Sequence, residues 1–281
     1  MNKNRKLMAY SLSGLLGLGL TVGGASFALF SSTSSNSNNQ FTAGTLKITS
    51  NRDDVPTTGP MFYTNMTTDA PGINPTGAWA PGDKQTRGLF LKNEGNLRAK
   101  LKTVSITNGE GSNIEENLKF TQEAKVIIWQ VKWFNSVGLN GKLTNLNATQ
   151  MDKIMKFLND GYKQWSAENP GADPTQDPNW KRQLLQAENL ILFQHINDII
   201  GTTGSTVTDE LVKVTDLYGA NLSDLLNTAD VSSLGIIAEP DKAQLLAFTV
   251  ELPLDADNSY QGISANLTFK TYWEQVRTIN C

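Results

Sequence analysis

Ile263-Ser264-Ala265-Asn266-Leu267-Thr268-Phe269-Lys270-Thr271-Tyr272-Trp273 is the stretch that decides the fold class of this chain. Ile263, Ala265, Leu267, Phe269, Thr271 and Trp273 share one face, and Ser264, Asn266, Thr268, Lys270 and Tyr272 share the other. A period of two belongs to a strand, and an apolar face opposite a polar one marks an antiparallel sheet with one buried side. Working outward, Leu246, Phe248, Val250 and Leu252 alternate in the same way. So do Ile127, Trp129, Val131 and Trp133 within Phe120–Phe134. Strand patterning also covers Gly44–Thr49, Gln85–Lys92 and Arg98–Thr107. Between Leu101 and Val104 the apolar phase slips, which predicts a β-bulge. Residues 51–83, rich in Pro, Gly, Thr and Asn, read as an extended loop.

The middle of the chain changes period. Met151, Ile154, Met155, Leu158, Tyr162 and Trp165 form one helical stripe, with Thr149 as a cap before it. Asn169–Pro178 ends that helix. A second helix is predicted from Asn179 to Ile200 on Trp180, Leu184, Ala187 and Ile191, with Gly201 past its end. Weaker helical patterning covers Asp209–Leu217 and Ser223–Leu226. Strands early and late with helices between predict a mainly β fold: an antiparallel, jelly-roll-like β-sandwich carrying a helical insertion. The sandwich spans 51–142 and 236–281, and the insertion 143–235.

The N-terminus reads as an address. Lys3, Arg5 and Lys6 precede an apolar, Gly-rich run from Leu7 to Ala28, which ends in Gly23-Gly24-Ala25-Ser26-Phe27-Ala28. A positive head, an apolar middle and small residues at the exit make a secretory signal peptide over 1–28, cut after Ala28. The competing reading is an uncleaved membrane anchor, since the run approaches the roughly 20 residues that span a bilayer. Its glycines and serines weaken that reading. Without Lys3, Arg5 and Lys6, 21 basic residues stand against 27 acidic ones. That balance disfavours nucleic acid and anionic lipid as partners. The single cysteine, Cys281, allows no intramolecular disulfide, so the fold rests on packing. It is either a free terminal thiol or a link between two chains.

Four motifs resemble those of the TasA/camelysin group of Bacillus-type secreted biofilm-fibre and cell-surface proteins. The leader ends in Gly-Gly-x-x-Phe-Ala-x-Phe at Phe30. Phe41-Thr42-Ala43-Gly44-Thr45-Leu46-Lys47-Ile48 is similar to the group's F-x-x-G-T-L-x-L. Pro81-Gly82-Asp83, followed by Leu91-Lys92-Asn93-Glu94-Gly95-Asn96-Leu97, looks like its P-G-D and L-x-N-x-G-x-L. Tyr260-Gln261-Gly262 leads into a strand ending at Glu274-Gln275. The likeness covers the leader and the strand-like flanks, about half the chain, and leaves the helical middle unmatched. It implies a secreted subunit of an extracellular fibre, and its camelysin side implies a metallopeptidase. Taken by themselves, Gly44 and Pro81-Gly82-Asp83 are turn chemistry. Asn93-Glu94-Gly95 predicts a hairpin-type reversal with Gly95 at positive φ.

Zinc proteolysis needs about three protein ligands and a general base. The chain has one histidine, His195, with no Glu directly after it, and so no H-E-x-x-H. It reads as a core or edge histidine. There is no G-x-S-x-G, Walker A or G-x-G-x-x-G. Asp255-Ala256-Asp257-Asn258 reads as a turn, with a structural calcium as the alternative. The expectation is therefore no enzyme, no cofactor, no metal and no small-molecule substrate.

Ser31–Gln40 reads SSTSSNSNNQ, a polar linker that leads into the strand at Gly44–Thr49. A flexible linker joined to a short strand, beside a sandwich with edges, predicts self-assembly by strand addition. The donor candidate is 29–50. Phe30 and Phe41 are its anchors, Gly44 its turn, and Leu46 and Ile48 its apolar face. Signal peptidase is the processing partner, and further copies of the chain are the assembly partner. The mature form is expected outside the cell and not embedded in a membrane. The alternative is that the strand pairs within its own subunit. The competing class is a monomeric binding module or adhesin that uses Trp165 or Trp180.

Overall fold

The computed structural model describes residues 45–68, 71–108, 113–135, 148–172, 178–200, 210–256, 260 and 267–276. Its strands form two antiparallel sheets. The first has five strands, in the order β1 (Ile48–Arg52), β2 (Lys84–Asn93), β8 (Ala243–Glu251), β4 (Lys125–Asn135) and β5 (Glu210–Asn221). The second is built on β3 (Ala99–Asn108). β9 (Leu267–Gln275) pairs with one edge of β3, and the two-residue strands β6 (Ala229–Asp230) and β7 (Ile237–Ala238) pair with the other. Helix α1 (Ile114–Glu123) joins β3 to β4, and α2 (Ala148–Glu168), α3 (Pro178–Gln194) and α4 (Ile196–Ile200) stand between β4 and β5. The fold is the mainly β, antiparallel sandwich with added helices that the alternation predicts.

The five-stranded sheet is covered on both sides. On one face Val126, Ile128, Leu246, Phe248 and Val250 meet Leu101, Val104, Ile106 and Trp273 of the second sheet. On the other, Ile127, Trp129, Val131, Leu245 and Ala247 meet Met151, Ile154, Leu158, Trp165, Trp180 and Leu184 of α2 and α3. The helices therefore form a third layer. β8 is buried from Ala243 to Val250, so its alternation is between two cores and not between core and water. The continuous apolar run Leu245-Leu246-Ala247-Phe248 is the pattern of a strand covered on both faces. β9 keeps the simpler arrangement: Thr268, Lys270, Tyr272 and Glu274 are exposed and Trp273 is buried.

Several local expectations hold. Pairing of β3 with β9 shifts register between Leu101 and Thr103, at the predicted bulge. Pro81 and Gly82 form a turn in which the Asp83 amide donates to Ala80 O at 3.0 Å, with Gly82 at φ 93°. Pro at the second position and a positive φ at the third define a type II turn.

Other expectations need correction. Asp209–Leu217 does not read through as a helix: from Glu210 onward it is β5. Its register shifts opposite Gln130 and Val131, and the inserted residue, Thr215, puts Val214 and Leu217 in the same core. A bulge thus reproduces the spacing of three that a helix would give. Ser223–Leu226, by contrast, is helical as expected, within the 3₁₀ helix Leu222–Asn227. The strand at Phe120–Phe134 begins only at Lys125, because α1 occupies Ile114–Glu123. Thr149 is inside the first turn of α2, not ahead of it. The second long helix breaks at His195.

Asn93-Glu94-Gly95 is not a hairpin. β2 and β3 belong to different sheets, and the segment is the corner between them. Asn93 holds that corner: it is fully buried and donates to Leu97 O and Ala238 O at 2.8 and 3.0 Å. Gly95 does not have positive φ. A Cβ there would lie 2.3 Å from Thr45 O, so glycine is needed for close approach.

Candidate assembly edge

Each rim of the sandwich presents backbone groups that are paired, covered or left open. β5 is an edge strand covered by a helix. Asn189 of α3 donates from Nδ2 to Val214 O at 3.0 Å and accepts from Val214 N at 2.8 Å, standing in for a neighbouring strand. β6 and β7 are two residues long. β1 is five residues long.

β9 is the exception. It is nine residues long and, among the described residues, pairs only with β3. Leu267 and Phe269, which face the core, are only half-buried. Phe269 sits 5.2 Å from Phe248 and 6.2 Å from Phe62, ring centre to ring centre. Phe62 touches Trp79 at 6.3 Å, and Trp79 meets Phe120 edge-on at 5.9 Å. An aromatic seam therefore runs from the middle of the sheet to this rim. Tyr272 is 49% exposed on the outer face of β9, beside exposed Lys270.

The predicted donor residues divide. Ala28, Phe30, Phe41 and Gly44 lie outside the described residues, as do Cys281 and Asp257-Asn258. Leu46 and Ile48 are described, and they serve their own subunit. Leu46 is 4% exposed in the sandwich core, with Ile48 packed against it. Ile48 pairs with Asn93, Thr45 N donates to Asn96 Oδ1 at 2.6 Å, and Glu94 N donates to Lys47 O at 2.8 Å. In the described chain these two residues pair within their own subunit, which is the intramolecular alternative.

One structural site carries little sequence signal. Arg52, 1% exposed at the end of β1, donates from Nε to Pro56 O at 2.9 Å and from its terminal nitrogens to Pro60 O and Pro71 O. Its guanidinium lies 5.4 Å from the Tyr63 ring centre and 3.9 Å from Asp54. Asp54 accepts from the Tyr63 hydroxyl and the Val55, Ile73 and Asn74 amides. Burial alone would raise the Asp54 pKa, but these bonds hold it below the ordinary carboxylate value. Its own burial and the Asp54 carboxylate push the Tyr63 hydroxyl up, against a smaller pull from the Asn74 amide and Arg52. This centre folds the long loop between β1 and β2 over the sandwich. The pair Arg52-Asp54 beside many prolines was its only trace in the sequence.

Chemistry of other kinds is sparse. His195 stacks on Phe157 at 4.1 Å and pairs with Asp198 at 3.1 Å, at the break between α3 and α4. Among the described residues no group of three or more His, Cys, Asp or Glu could hold a metal ion. A cleft of about 940 Å³ opens at the end of the sheet under the C-terminus of α2. Glu251 lies there in register between Lys84 and Lys125, pairs with Lys84 at 3.0 Å and accepts from the Tyr162 hydroxyl. Trp165 and Trp180 are 7% and 2% exposed, within the core under the helices. No described helix is long and apolar enough to cross a membrane. The chain matches no protein-family model and no curated protein sequence.

Proposed function

We propose that this protein is a secreted structural subunit of an extracellular fibre, built by strand donation from each copy to the next. The observation that carries this reading is the β9 rim, nine residues whose outer edge takes no strand among the described residues, with the half-buried Leu267 and Phe269 on it. An open edge offers main-chain donors and acceptors to an added strand, and pockets for its alternate side chains. The donor is residues 29–44, with Phe30 and Phe41 as anchors into the aromatic seam. Such a contact is head-to-tail and does not close on itself, so it propagates as a filament. Removal of residues 1–28 by signal peptidase frees the donor outside the cell. The resemblance of the leader and flanking motifs to the TasA/camelysin group supports the same reading. A monomeric adhesin using Trp165 or Trp180 loses its motive, because both rings face inward.

Negative-stain microscopy of the chain from Leu29 onward tests this. Filaments are expected, and their loss on deleting residues 29–44, with the thermal unfolding midpoint kept. Filaments of unchanged form without 29–44 would overturn the proposal, as would a stable monomer under every condition for the intact mature chain.

A further inference from the structure

Among the described residues, the buried side-chain oxygens that lack a hydrogen-bond partner belong to two carboxyl groups, Asp53 and Glu188. Buried polar groups are nearly always paired, so Glu188, with no partner, and Asp53, with the Arg87 guanidinium only at 3.9 Å, call for a reason. Both lie beneath the same helix. Glu188 of α3 is 0% exposed and faces α2 at Gly161, where a Cβ would stand 2.7 Å from Glu188 Oε2. A glycine within a helix costs stability, and here it makes room for the carboxyl. Asp53, 3% exposed just after β1, lies against Gly88 of β2 and beside Met155 of α2. α2 is tied to β2 at this point by Asn159, whose Oδ1 accepts from Thr86 N at 3.0 Å.

We propose that Asp53 and Glu188 form a proton-operated latch that sets how firmly the α2–α3 layer is held on the five-stranded sheet. When protonated, Glu188 fits its dry site without an uncompensated charge, and Asp53 sheds its own buried charge at the expense of its pairing with Arg87. When ionised, each favours an opening that lets water reach it. Burial pushes Glu188 up to about 9, and among the described residues no charged group adds to or offsets that. Burial also pushes Asp53 up to about 6. There Arg87 of β2, 3.9 Å away, and the Gly88 and Asp53 amides pull it back, while Asp152 of α2 pushes it further up. Arg52 and Asp54, its chain neighbours, are engaged with each other.

The direction follows from proton counting. Opened to water, the two groups return towards 4.5 and 3.8, so the closed layer binds more protons than the open one. Acid therefore closes the latch. As pH rises from 5 to 8, Glu188 is inside its window throughout and favours opening by roughly a thousandfold. Asp53 adds about tenfold, most of it between pH 5 and 7.

Hydrogen–deuterium exchange of the full chain across pH 5 to 8 reads this directly, after correction for the intrinsic pH dependence of exchange. Protection of α2 and α3 is expected to fall by two to three orders of magnitude, while β3 and β9 hold theirs. Glu188→Gln should flatten the fall to about tenfold, and Asp53→Asn should remove that remainder. Infrared spectra of the unsubstituted chain at pH 7 should show the carbonyl stretch of a protonated carboxylic acid, which keeps the test decisive if a variant fails to fold. Absence of that band overturns the latch. So does an equal pH slope in the unsubstituted chain and a folded Glu188→Gln variant. Both readouts are independent of whether filaments form.

Discussion

At Arg52, one guanidinium takes the place of the secondary structure that the β1–β2 loop lacks. Its three carbonyl acceptors lie 4, 8 and 19 residues further along the chain. Removing it strands those carbonyls and the buried Asp54 carboxylate. Breaking a buried charged pair on one side costs about 3–5 kcal/mol. Arg52→Met should therefore lose stability of about that size in urea unfolding and expose residues 53–83 to proteases. Glycines differ just as sharply by what surrounds them. A methyl at Gly95 meets the backbone of Thr45 and Lys47, whereas one at Gly88 meets the Met155 side chain at 2.9 Å. Gly95→Ala is expected to cost about 1–3 kcal/mol, the usual range for overpacking, and Gly88→Ala less, because a methionine can shift. Neither the Arg52 knot nor the reason for Gly95 was legible in the sequence. Backbone carbonyls accept hydrogen bonds whatever residue carries them, so a clamp made of carbonyls leaves almost no residue signature. Gly95 was read as conformational freedom because the sequence does not reveal that the segment Thr45–Lys47, just ahead of β1, passes beside it.

Elements were legible where their faces were simple. β9 and the α2 stripe stand out because one side is buried and the other wet. β5 was not, since its bulge mimics helical spacing. α1 was missed because its apolar Ile114 and Leu118 are exposed, at 65% and 46%, and break the stripe. Its start was nevertheless written in the chain. Asn113 caps the amides of Glu115 and Glu116, and Asn followed three residues later by Glu is a helix-opening pattern. The clearest dependence between elements is that of β5 on α3. Asn189→Ala removes both bonds to Val214, itself 1% exposed, and leaves an amide and a carbonyl bare. A cost of about 2–4 kcal/mol is expected from two lost bonds of this kind, measured by thermal or urea unfolding. The outer edge of β5 should then exchange its amides faster.

For the whole molecule the deciding fact is that one sheet serves two cores. Leu245 and Leu246 are neighbours in sequence and both 0% exposed, yet Leu245 faces the helices and Leu246 faces the second sheet. Truncating either to Ala should cost about 2–5 kcal/mol, and both variants should unfold in one cooperative step, because β8 cannot leave one core and remain in the other. The alternation of β8 was legible, but the identity of its second cover was not: a period of two shows two faces without saying what lies on each. The candidate assembly rim was legible only in part. The sequence supplied a linker and a strand, and the fold reassigns Leu46 and Ile48 to their own subunit and moves attention to β9.

The shared sheet also sorts the chromophores. Trp129, Trp165 and Trp180 lie on the helical side, whereas Trp273 lies on the sandwich side with Trp79 packed against that core. Five of the six indoles thus fall into two populations, one for each compartment. A quencher or a red shift that reaches the first group before the second would show which cover lifts first, with no label attached.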